Sequence, residues 1–123
     1  MAVVTNPLGT HVILDLYDCE APVLDSVEKV EEILRKAAEV ANATVIGSTF
    51  RKFSPQGVSG VVVVSESHLA IHTWPELGYA SVDIYTCGDH TMPSKAGEYI
   101  INEFECRRPT IVKMDRGVLF KDD

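Results

Sequence analysis

Hydrophobic and polar residues alternate from His11 to Tyr17, with Val12, Leu14 and Leu16 on one side and Ile13, Asp15 and Tyr17 on the other. A period of two in a β-branched-rich run predicts a strand, bounded by Gly9 and by the turn-forming stretch Asp18 to Pro22. From Asp25 the period changes: Val27, Val30, Ile33, Leu34, Ala37, Ala38 and Ala41 fall on one face at helical spacing. Asp25 with Glu28 reads as a capping box, so an amphipathic helix of about four turns is expected. Each Val, Ile or Leu on its stripe gains about 1.5–3 kcal/mol by burial, so the stripe needs a sheet to cover. Thr44 to Phe53 reads as the second strand, Ser54-Pro55-Gln56-Gly57 as a turn and Val58 to Ser65 as the third strand, interrupted by Gly60. Leu69 to Trp74 continues or succeeds it. A turn at Pro75-Glu76-Leu77-Gly78 leads into Tyr79 to Cys87, where Ala80, Val82, Ile84 and Thr86 share one face, and the two runs read as a hairpin. Pro93 opens a second helix carrying Ala96, Tyr99, Ile100 and Phe104, and Pro109 to Met114 forms a last short strand before a charged tail.

This order predicts the α/β (α+β) class: a two-layer sandwich, mostly antiparallel, with two helices packed on one face of the sheet. Val61 to Val64 points apolar side chains both ways, so the second face is expected to be buried by dimerisation. At 123 residues the chain is expected to form one domain, 1–123, and its 46% hydrophobic and 24% charged residues suit an ordinary globular core. A net charge of -7 argues against nucleic acid as a partner, because phosphate binding needs an excess of Lys and Arg. The first residues lack the basic and apolar regions of a secretory signal, which makes the cytoplasm the expected location. The longest apolar run, Val61 to Val64, is far too short to span a bilayer. Cys19, Cys87 and Cys106 are odd in number and widely spaced, fitting neither a disulfide framework nor a C-x-x-C motif, so any special cysteine acts as a thiol.

Chemically capable side chains are densest from Ser65 to Glu76, followed by Tyr85 to Asp89. The run ESHLAIHTWPELGYASVDIYTCGD resembles the signature of the short prokaryotic S-adenosylmethionine decarboxylases, as do the spacings from Ser67 to His72 and to Cys87. The resemblance extends over nearly the whole chain. It implies a precursor that cuts itself between Glu66 and Ser67, leaving a small chain 1–66 and a chain 67–123 capped by a pyruvoyl group made from Ser67. A hydroxyl one residue beyond the attacked carbonyl closes a five-membered ring, and such near-attack geometry can supply on the order of 7–11 kcal/mol. By the same resemblance His72 is the proton acceptor in processing, Cys87 the proton donor in catalysis and Ser59 a hydroxyl used in processing. Phe53 is implied to stack on adenine and Glu76 to accept from the ribose hydroxyls, while His68 stands beside the junction to assist. The implied cycle joins the pyruvoyl carbonyl to the substrate amine as a Schiff base, releases carbon dioxide and protonates the α carbon, feeding aminopropyl groups into spermidine synthesis. No metal is implied, and the partners are S-adenosylmethionine and further copies of the chain, as a dimer of cleaved protomers.

Two other readings remain open on the residues alone. A pyruvoyl-dependent arginine decarboxylase shares the scaffold and junction, and a non-catalytic module could hold a metal through His68, His72 and Cys87 or serve as an unprocessed partner subunit. Phe53 favours the adenosyl substrate, since a guanidinium pocket wants a carboxylate. Cys19 and Cys106 read as packed thiols, and His11 and His90 are assigned no function. One geometric demand follows from strand periodicity: Ser67 and His72, five residues apart, face opposite ways in an unbroken strand, so irregular backbone is expected near Ser67.

Overall fold

The computed structural model describes residues 2–3 and 7–121, with side chains from residue 7 to residue 120. In chain order the elements are β1 (Ala2–Val3), β2 (Gly9–Tyr17), α1 (Ala21–Leu24), α2 (Val27–Val40), β3 (Val45–Lys52), β4 (Val58–Val64), β5 (Ser67–Trp74), β6 (Tyr79–Cys87), α3 (Pro93–Glu103), β7 (Arg108–Arg116) and β8 (Phe120–Lys121). A six-stranded sheet runs β3-β4-β5-β6-β2-β7 with every neighbouring pair antiparallel, and β1 pairs with β8 in a separate ribbon.

The alternation in the sequence decides which face each strand buries. Val12, Leu14 and Leu16 of β2, Val58, Val62 and Val64 of β4, Leu69 and Ile71 of β5, and Ala80, Val82 and Ile84 of β6 are all buried beneath the helices. The helices answer with Val30, Ile33, Leu34, Ala37 and Ala38 of α2 and Ala96 and Ile100 of α3, closed by Phe104. Gly60 breaks the apolar pattern of β4 because the ring of Phe50 lies over it: an added Cβ would overlap the Phe50 ring. Thr73 is the polar exception in this layer. Its hydroxyl accepts from the Val58 amide at 2.8 Å and donates to the Leu24 carbonyl at 2.7 Å, tying α1 to the sheet.

Several boundaries differ from the sequence reading. The stretch expected as a turn contains α1, whose Pro22 occupies the first turn of a helix, where no amide hydrogen is needed. Asp25 does not cap α2; Ser26 does, accepting from the Lys29 amide at 3.3 Å. Asp25 instead accepts from the Gly57 amide at 2.9 Å and pairs with Lys52, which holds the 54–57 turn against the helices and keeps its carboxyl below the usual range. The charged tail includes β8. The last long strand reaches Arg116, and this edge is exposed throughout, carrying Arg108, Lys113 and Arg116, charges that discourage further strand pairing.

Among the described residues no helix packs on the second face of the sheet. Ile13, Val61, Val63, Ala70, Val112 and Met114 lie on it by register, with Val63, Val112 and Met114 exposed.

Candidate active site

Residues Ser65 and Glu66 form the tight turn between β4 and β5, where Val64 pairs with Ser67, so the Glu66–Ser67 peptide lies at a hairpin tip. The Glu66 carbonyl accepts from the Cys87 amide at 3.0 Å and from the Cys87 thiol at 2.8 Å. The Glu66 carboxylate accepts from the Thr44 amide at 3.1 Å and from His90 Nε2 at 2.7 Å. The His90 contact, then the Thr44 amide and the Ser65 hydroxyl, hold this carboxyl down to about 2. The irregular backbone expected at the junction lies at Ser67 itself, whose φ of 150° belongs to a region ordinarily open only to glycine. Its hydroxyl lies 3.3 Å from His68 Nδ1.

Beyond Ser67 the strand is regular. β5 keeps register with β4 as far as His72 and with β6 to its end, pairing His68 with Tyr85, Ala70 with Asp83 and His72 with Ser81 on the open face. His72 is therefore five residues from Ser67, about 17 Å along the strand, and one chain does not bring the two together. What surrounds His72 is the rest of the predicted set. Ser59 lies directly opposite it on β4, Phe53 stacks on its ring at 5.8 Å, and Glu76 is exposed on the 3-10 turn Pro75–Leu77 at the end of β5. The candidate residues thus fall into two groups at opposite ends of β5: Glu66, Ser67, His68 and Cys87 at one, and Phe53, Ser59, His72 and Glu76 at the other.

The His72 group sits in an aromatic row that the sequence reading did not single out. His72 stacks on Trp74 at 4.3 Å, Trp74 meets Tyr79 at 5.2 Å, and Tyr79 stacks on Tyr17 at 5.2 Å. Alternation along the β5–β6 hairpin contains the signal, since 72, 74 and 79 share the open face. Tyr79 donates to Asp15 at 2.5 Å, a bond that pushes its phenol up to about 12. His90, assigned no function from sequence, contacts the Glu66 carboxylate at the hairpin tip.

The metal-binding alternative has no geometric support. His68 and His72 share a face but stand four residues apart, about 13 Å, too far for one ion, and no three metal-ligating side chains converge among the described residues. Burial pushes the Cys19 thiol up to about 12, as suits a packed cysteine. Among the described residues no helix is long and apolar enough to cross a membrane.

The crystal structure of the adenosylmethionine decarboxylase from Aquifex aeolicus superposes with a TM-score of 0.89 at 40% identity, over 97% of this chain and 98% of that one. The structure titled Trypanosoma brucei AdoMetDC-delta26 monomer shares the fold at 19% identity and a TM-score of 0.61, over 85% of this chain and 45% of that one. The fold is that of a small α+β decarboxylase. The family described as S-adenosylmethionine decarboxylase matches residues 10–117. A protein named S-adenosylmethionine decarboxylase proenzyme from Carboxydothermus hydrogenoformans is 54% identical over 117 residues, 95% of this chain and 92% of the relative. Another of that name, from Thermodesulfovibrio yellowstonii, is 52% identical over 112 residues, 91% of this chain and 83% of the relative. The chain belongs to the S-adenosylmethionine decarboxylase family.

Proposed function

We propose that this chain is a proenzyme that cuts itself between Glu66 and Ser67 and, capped by a pyruvoyl group made from Ser67, decarboxylates S-adenosylmethionine to the aminopropyl donor of spermidine synthesis. The observation that carries the reading is the double grip of Cys87 on the Glu66 carbonyl at the hairpin tip, beside a serine held in a strained backbone conformation.

Ser67 Oγ adds to the Glu66 carbonyl carbon and the C–N bond breaks, turning the amide into an ester. The hydroxyl proton passes to the freed Ser67 nitrogen, with His68 Nδ1 positioned to relay it. Negative charge gathers on the Glu66 oxygen during this step, where the Cys87 amide and thiol already point. A base then removes the α-proton of Ser67, the Cβ–Oγ bond breaks, and Glu66 leaves as a carboxylate ending chain 1–66. The remaining dehydroalanine takes up water and releases ammonia, leaving the pyruvoyl cap on chain 67–123. A serine with its ester partner gripped in place fits the formation of this group, which when present supplies a sink for the electron pair left by departing carbon dioxide. Cys87 follows Thr86, the cross-strand partner of Ser67, and its thiol delivers a proton to the substrate's α carbon.

His72 is assigned the base in the elimination, with Ser59 beside it, and the 17 Å gap within one chain means that they act on Ser67 of a second copy. A two-fold dimer places the second group of each chain against the first group of the other, and packing through the helix-free face also covers its exposed apolar side chains. Phe53, exposed beside His72, offers a flat surface for adenine, and Glu76 a carboxylate for ribose hydroxyls. Three free cysteines suit a reducing compartment, and we place the protein in the cytoplasm.

Intact-mass analysis of the expressed chain after incubation at neutral pH tests the cut: fragments 1–66 and 67–123 are expected, and a chain that stays whole refutes it. Release of carbon dioxide from carboxyl-labelled S-adenosylmethionine tests the substrate, and a cut chain that acts on arginine instead refutes that half.

A further inference from the structure

The loop from Cys87 to Thr91 holds Glu66 at both ends. Its first residue takes the main-chain carbonyl, as described, and its fourth, His90, takes the side chain. A carboxylate can only accept hydrogen bonds, so the 2.7 Å contact requires the proton to sit on His90 Nε2. The loop backbone that carries the imidazole is tied at two points to the end of α2. Asn42, just past the end of α2, donates from Nδ2 to the His90 carbonyl at 3.0 Å, and the Met92 amide donates to the Ala41 carbonyl at 2.8 Å. Beneath the ring is Gly88, at φ 92°, where an added Cβ would lie 2.8 Å from His90 Cε1. Only glycine satisfies both that φ and that contact.

The Glu66 side chain reached by this loop is 12% exposed and also accepts from the Thr44 amide, while the Ser65 amide donates to the Thr44 carbonyl at 2.9 Å. The tip of the hairpin is therefore pinned to the start of β3 and to the β6–α3 loop at once. Rotation of the Glu66 side chain out of this pocket would free the tip to turn, carrying the carbonyl away from the Cys87 donors and letting Ser67 relax from φ 150°.

We propose that His90 is a positioning residue for self-cleavage, holding the Glu66 carboxylate so that the adjoining carbonyl stays against Cys87 with Ser67 poised beside it. The proposal rests on the cut falling between Glu66 and Ser67. His90 touches neither reacting atom; it acts through Glu66.

The test follows the first-order appearance of fragment 67–123 from the full chain by denaturing mass spectrometry. His90→Ala is expected to slow it by about tenfold, since small misplacements of reacting groups carry large rate penalties. His90→Gln, whose amide N–H reaches the same oxygen, is expected to recover most of the rate. Glu66→Ala is expected to be slow as well, and the double variant no slower than Glu66→Ala alone, the non-additivity of residues acting through one contact. Melting of each variant on a Ser67→Ala background separates this from loss of fold: His90→Ala is expected to melt cooperatively, lowered only by the loss of its contact with Glu66, and Glu66→Ala by a similar amount. Cleavage of His90→Ala at the unaltered rate overturns the proposal. So does failure of His90→Gln to restore the rate in a folded chain, or a double variant slower by the product of the two single effects. If the unaltered chain is never cut, the junction assignment fails instead.

Discussion

Two inactive variants should repair each other if the site is shared between chains. Ser67→Ala removes the residue proposed to be cut, and His72→Ala removes the proposed base, a loss worth on the order of 10²–10⁴ in rate. In a single chain the two positions lie about 17 Å apart along β5, far beyond the combined reach of a serine and a histidine side chain. A mixed two-fold dimer of the variants contains one site with intact Ser67 and intact His72 and one site lacking both. Random pairing after co-refolding of equal amounts makes roughly half the dimers mixed, so about a quarter of all sites are whole and about a quarter of all chains become cut. Isotope labelling of the His72→Ala chain allows denaturing mass spectrometry to show that every fragment 67–123 comes from it, with native mass spectrometry counting mixed dimers in the same sample. Mixed dimers at the expected level with no cutting above that of the separate variants would refute a shared site, and so would normal cutting of His72→Ala alone.

Other perturbations test separate parts of the structure. Cys87→Ala removes one neutral donor from the Glu66 carbonyl, about 1–1.5 kcal/mol, and should slow the cut about tenfold; cutting at the unaltered rate removes the thiol from the first step. Cys87→Ser keeps a donor and should be cut readily, yet turn over S-adenosylmethionine slowly, because a hydroxyl is a far weaker acid than a thiol. Thr73→Val strips the buried Val58 amide and Leu24 carbonyl of their partner and should lower unfolding free energy by about 1–3 kcal/mol, read by denaturant titration of the uncut Ser67→Ala chain. Glu66, with its folded-state carboxyl held at about 2 against an ordinary 4.5, stabilises the chain fully above about pH 4.5, and this contribution is lost as the pH falls toward 2. Ser67→Ala chains with Glu66 or Gln at position 66 should therefore converge in stability over that interval; parallel curves would show that His90 and Thr44 do not hold the carboxylate.

The sheet was readable where one face is covered and one is not. Val12, Leu14 and Leu16, or Ala80, Val82 and Ile84, announce a half-buried strand because water and core lie on alternate sides. The pattern misled where a residue answers to a distant neighbour. Asp25 looks like a helix cap by its spacing to Glu28, but the Gly57 amide, 32 residues away, claims it. The junction residues are legible as a local motif. Their division into two groups is also implied by spacing, since five residues of strand fix a distance as well as a face. His90 was invisible because its partner, Glu66, lies 24 residues earlier, and only the packing of the β6–α3 loop onto the β4–β5 turn joins them.

The strand order has a consequence for when the proposed cut could happen. Severing the chain between β4 and β5 assigns β2 to one fragment and β6 and β7 to the other, yet β2 lies between those two strands, bonded to both. β4 likewise stays bonded to β5. The fragments are interwoven, so neither can leave without dismantling the sheet. Unfolding after the cut separates two molecules whose reunion depends on concentration, while unfolding before it leaves one chain free to try again. The proposed cleavage would then be a one-way door in the life of the protein: the chain would assemble its architecture first, and the scission would also remove its easy route back to the native state.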